Sequence, residues 1–178
     1  MKLSMTTVID FLSRRFAGRV PMPLIQQPSD STCWAACYAM VEAGRGRAKS
    51  FCAYVNLQTG TCTECYKPTK TCNQARPVAE VESDWYTLGY KATSKLKGAP
   101  SNGLIIKSIK KGRPIEVFIQ YENSNDGHFF LIVGTLKERQ YGDTVFTIAD
   151  PLMNHTRDMS CSEINNWGHW QHSWIIAE

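Results

Sequence analysis

The chain has 178 residues and a mass of 20.1 kDa, enough for one domain with a substantial core. Its hydrophobic share of 43%, charged share of 20% and mean hydropathy of −0.31 exclude a disordered chain, and no apolar run reaches the ~18 residues of a spanning helix. A net charge of +4, spread along the chain, lacks the basic stripe of a nucleic-acid binder, so neither nucleic acid nor a membrane span is expected as a partner. In chain order, Val8, Ile9, Phe11, Leu12 and Phe16 fall near helical spacing and predict a helix over 6–16. Pro21, Pro23 and Pro28 then enforce an extended segment. Asp30, Ser31 or Thr32 can cap a helix that starts at Cys33 and ends near Gly44. Residues 45–76 hold a cysteine cluster without a clear period and read as a tied loop. Pro77 opens the next helix, with Val78, Val81, Trp85 and Leu88 on one face and Gly89 at its end. Another helix runs from Asn102 to Lys111, stopped by Gly112 and Pro114.

The texture then changes to strand over Ile115–Tyr121, His128–Leu136 and Thr144–Ala149, with turn residues at 123–127 and 141–143. Ser160 and Glu163 fit a capping box, and Ser173–Ala177 reads as a last strand. The layout predicts an α+β fold in a single domain over 1–178. It divides into an N-terminal helical extension (1–20), a helical lobe (21–112) carrying the Cys-rich insertion at 45–76, and a β lobe (113–178).

Seven cysteines stand at 33, 37, 52, 62, 65, 72 and 161. The odd count suggests one thiol apart and six to pair or bind metal. Cys33 falls in the first turn of its helix, where unpaired N–H groups and the helix dipole favour an anion, so it is the candidate nucleophile; a buried structural cysteine is the plainer alternative. Cys37 lies one turn deeper and reads as structural. His128 opens a strand just after Gly127, and Asp150 ends another strand before Pro151. With Cys33 they supply a nucleophile, a base and an orienter. His155, His169 and His172 lie among tryptophans and read as packing. Gln27, six residues before Cys33, places an amide where it can donate to a tetrahedral oxyanion together with the Cys33 backbone N–H.

The pattern Gln27…Cys33-Trp34-Ala35-Ala36-Cys37, then Gly127-His128-Phe129, then Ala149-Asp150-Pro151, resembles the papain-like cysteine peptidases. It is most similar to compact bacterial forms such as bacteriocin-leader-processing peptidases and secreted effector proteases. The resemblance implies a helical lobe packed on an antiparallel β lobe, with Cys33 as nucleophile, His128 as base and acid, Asp150 as orienter and Gln27 as oxyanion donor. Trp34 and Gly127 would contact a protein or peptide substrate. No cofactor and no catalytic metal is implied. Papain itself has Asn where this chain has Asp150. Transglutaminase- or deamidase-type acyl transfer uses the same triad order, and a non-catalytic binding module on the same scaffold is a third reading. A delivered effector or toxin role, with a cognate inhibitor or immunity protein as partner, rests on analogy.

Cys37, Cys52, Cys62, Cys65, Cys72 and Cys161 are the disulfide or metal candidates. Three bridges are expected, in any of 15 connectivities, and a zinc site on the Cys62-x2-Cys65 pair or reduced structural thiols are the alternatives. The insertion is expected to stabilise the fold without joining the reaction. The cysteine content favours a secreted or delivered protein, while no signal peptide is visible, so the compartment stays open.

Overall fold

The computed structural model describes residues 16–67, 69–137 and 144–178. The helices are α1 (Cys33–Gly44), α2 (Phe51–Thr59), α3 (Val81–Thr87), α4 (Asn102–Lys110) and α5 (Cys161–Asn165). The strands are β1 (Phe16–Arg19), β2 (Lys91–Lys97), β3 (Ile115–Gln120), β4 (Gly127–Lys137), β5 (Thr144–Ala149), β6 (Arg157–Ser160) and β7 (His169–Ala177). All pairings are antiparallel, in the order β2-β7-β3-β4-β5-β6, and β1 pairs with β4 beyond the end of β3. The last strand, β7, therefore lies inside the sheet, between β2 and β3.

The sheet is covered on both faces, which is why β3 reads as a continuous apolar run rather than an alternation. Phe129, Leu131, Val133, Trp174 and Ile176 face α1, whose residues from Cys33 to Glu42 are all buried. Phe130, Ile132, Ile148 and Ile175 face the other way, against Ile105 and Ile109 of α4 and Ile164 of α5. Alternation along each strand thus feeds two cores. The mixed helix and antiparallel sheet architecture is the one expected. Helix α4, grouped by its sequence with the helical lobe, covers the face opposite α1.

Several elements differ from expectation. Phe16 opens β1 instead of ending a helix, and the rest of the helix expected over 6–16 lies outside the described residues, as do residues 138–143. Helix α2 lies within the stretch read as loop. It buries Phe51, Tyr54 and Val55, a single apolar edge too short to stand out, and stops at Gly60 in the left-handed region (φ 67°). The helix expected from Pro77 starts at Val81, after a turn. The capping box is present, with the Ser160 hydroxyl accepting from Glu163 N–H and Glu163 accepting from Ser160 N–H.

Two disulfides, Cys52–Cys65 and Cys62–Cys72, tie the insertion. A third bridge would need Cys37 and Cys161, and these two belong to different cores on opposite faces of the sheet. The expectation of three bridges is therefore corrected to two. The sulfurs of Cys52, Cys62 and Cys65 lie within 4.8 Å of one another, but as disulfides they offer no thiolate to a metal.

Candidate active site

Three chain segments converge where α1 begins beside the ends of β4 and β5. Cys33 is the first residue of α1, after the N-cap Thr32. The Thr32 hydroxyl donates to Ser29 O (2.9 Å) and does not cap the helix, so the first N–H groups of α1 are left to face the cleft. His128 is the second residue of β4, and its close seat depends on Gly127. A Cβ at 127 would overlap the Ile119 carbonyl oxygen and the Phe118 ring. Asp150 follows β5, where the chain turns and Met153 N–H donates to Asp150 O.

His128 Nε2 and Asp150 Oδ1 are 2.7 Å apart, and Oδ1 also accepts from Leu152 N–H at 2.9 Å. With Nε2 engaged, Nδ1 is the imidazole nitrogen left for Cys33, whose sulfur is close enough to act on the imidazole electrostatically. Cys33 and His128 are each 5% exposed and Asp150 is 2% exposed, so water screens their interactions little. Burial pushes the imidazole pKa down, but the bonds and charges of Asp150 and Cys33 outweigh it and raise the pKa to about 9. Burial likewise pushes the Asp150 carboxyl up, and His128, the Leu152 amide and Arg157 bring it below its ordinary value. An imidazolium beside a helix-start sulfur can support a thiolate and return a proton.

The sequence-derived candidates distribute unevenly around this centre. The Gln27 backbone N–H donates to Pro151 O (3.0 Å), stapling the loop before α1 to the turn after Asp150. Its side-chain Nε2 donates to Ser29 O (2.9 Å) and Asp30 O (3.0 Å), and Oε1 is buried with no hydrogen-bond partner among the described residues. Trp34 is fully buried; its Nε1 donates to Ser31 O (3.1 Å) and Gln74 O (3.0 Å). Cys37 lies a turn deeper, and burial pushes its thiol well up.

Cavities open on the two sides of the centre. One of about 300 Å³ includes Cys33, Trp34, Arg76, Val78, Phe118 and Gly127 in its lining. The other, about 230 Å³, includes His128, Asp150, Arg157, Leu152, Met153 and Trp167. The wall of the larger cavity comes from the end of the disulfide-tied insertion. There Asn73 Oδ1 accepts from Ser31 N–H (2.8 Å) and Gln74 O accepts from Trp34. The insertion thus touches the loop that presents Cys33, a role its composition did not reveal.

Two charged groups near the centre, one buried and one half-exposed, also escaped the sequence reading. Glu116 is fully buried in β3; burial pushes its carboxyl well up, and Trp85 Nε1 donates to it at 2.6 Å. A lone acid in an otherwise apolar strand was the available signal. Arg157 approaches Asp150 from β6 and had no such signal.

The profile of the Peptidase_C39-like family matches residues 20–175, nearly the whole chain. The chain belongs to the Peptidase_C39-like family. It is a cysteine peptidase of the papain-like bacterial type. Among solved structures, this C39-like peptidase is similar in fold to a double glycine motif protease from an AMS/PCAT transporter, determined in complex with the leader peptide. The TM-score is 0.56 at 17% identity, over 90% of this chain and 95% of that one. No curated protein sequence matches the chain.

Proposed function

We propose that this C39-like peptidase cleaves an extended peptide segment through a thioester acyl-enzyme, with Cys33, His128 and Asp150 as its triad. The observation that carries the reading is the buried His128–Asp150 pair at 2.7 Å beside the helix-start Cys33, with Nε2 on the carboxylate and Nδ1 left for the sulfur. The Cys33 thiolate attacks the carbonyl carbon, and the C–N bond then breaks as Nδ1–H gives its proton to the leaving amine. Water attacks the thioester, His128 takes its proton, and the Cys33 sulfur departs.

Because His128 must reach the leaving nitrogen, the cavity it lines receives the leaving-group side. The cavity at Cys33 and Trp34 receives the acyl side. The developing oxyanion is stabilised by the Cys33 backbone N–H and by Gln27, which turns one amide hydrogen away from Ser29 or Asp30 on binding. The two disulfides support an oxidising working environment, and so a peptide substrate met outside a reducing cytosol.

The test is to incubate the protein with a peptide library and map new N-termini by mass spectrometry. Cleavage that disappears in Cys33→Ala is expected. Intact peptides carrying deamidated or amine-coupled glutamine would assign acyl transfer instead.

A further inference from the structure

Asp150 uses one oxygen heavily: Oδ1 serves both His128 Nε2 and Leu152 N–H. Its other oxygen, Oδ2, faces Arg157 Nη2 at 3.7 Å. The pairing of β5 with β6 sets this up. Arg157 stands opposite Ile148, two residues before Asp150, so the two charged side chains are diagonal neighbours on one face, a separation that a long side chain spans. The guanidinium lies 4.4 Å over the Trp167 ring, and Trp167 sits edge-on against Phe130 of the core at 5.7 Å. Arg157 is thus braced from below. Its Nε is buried without a hydrogen-bond partner among the described residues, and the adjacent Asp158 is engaged by the Thr147 hydroxyl at 2.8 Å.

We infer that Arg157 is a positioning residue of the site, a second cation that holds Asp150 ionised and aimed at His128 from the leaving-group side. The inference builds on the peptidase reading above. The groups set against Asp150 are His128 from β4 and Arg157 from β6, with Cys37 of α1 and Tyr121 after β3 near enough to feel its charge. Removing the Arg157 charge makes Asp150 easier to protonate, which weakens its hold on His128 and moves the acid limb of activity to higher pH.

The experiment compares wild type, Arg157→Met, Arg157→Lys and Trp167→Leu. Each is followed by the pH dependence of kcat/KM, by the pH dependence of Cys33 alkylation by iodoacetamide, and by thermal melting. Arg157→Met, which keeps contact with the Trp167 ring, should raise the acid limb by roughly half to one pH unit in both assays. Arg157→Lys should restore most of the wild-type position, and Trp167→Leu should shift it in the same direction by less. An acid limb unchanged in Arg157→Met overturns the inference, as does a shift that Lys fails to reduce. Alkylation reads the site without substrate. A shift there with no peptide cleaved by any of the proteins supports Arg157's role while removing the peptidase reading.

Discussion

At the scale of single residues, His128 carries the most consequential electrostatics. Its pKa of about 9 in the fold lies above the ~6.5 of an unfolded chain, so the imidazolium is the favoured form at neutral pH. Loss of that proton removes the acid that serves the leaving amine, and the basic limb of kcat/KM should therefore fall near pH 9. The stabilising effect runs with the same sign. It is full below the unfolded value and is lost as pH rises through about 9. The melting-temperature advantage of wild type over His128→Ala should be largest near pH 6 and fade by about pH 10. Asp150 runs oppositely: its lowered pKa stabilises above the ordinary carboxyl range and is lost as pH falls through the folded value. With the proposed oxyanion role for its amide, Gln27→Ala is expected to lower kcat by about 10²–10³ with little change in KM. Steady-state kinetics separate the two, and an effect confined to KM would remove Gln27 from the oxyanion role.

At the scale of elements, the site depends on how closely β3 and β4 approach at Gly127. Gly127→Ala must push aside the Ile119 carbonyl or the Phe118 ring, and the next residue along β4 is His128. We expect a loss of kcat of roughly 10²-fold, as for small misplacements of reacting groups, together with a lower melting temperature. Normal kinetics at normal stability would show that β3 yields instead. The same elements show what was legible in the sequence. Cys33, His128 and Asp150 each mark the boundary of an element, a helix start after Asp-Ser-Thr or a strand end beside Gly or Pro, and boundaries have local signals. Strands β1 and β6 lacked them, and helix α2 had a Gly stop but too narrow an apolar edge to stand out. β6 is four residues long, Arg-Asp-Met-Ser, without a clean alternation, and it pairs only because β5 is already in place. Arg157 was hidden for that reason, and Glu116 because its burial comes from helices packed on both faces of β3. Such tertiary contacts leave no local pattern.

At the scale of the whole molecule, covalent ties and strand order determine how the cleft is held. The oxidised protein should weigh about 4 Da less than the reduced chain, two hydrogens for each of the two bridges. Each bridge is typically worth about 2–4 kcal/mol, so strong reductant should lower the melting temperature. It should also raise KM, because Cys62–Cys72 anchors the stretch that leads into the wall formed by Ala75 to Val78, while Cys33 remains a competent thiol. Intact mass, melting and kinetics on the same samples check all three. The interior place of β7 has a further consequence, for shortened chains. The helix bearing Cys33 precedes every described strand but β1, whereas β7, which fills the gap between β2 and β3, follows every other described element. A chain that stops short of β7 carries the sulfur without the completed sheet, and is expected to alkylate at Cys33 without help from His128.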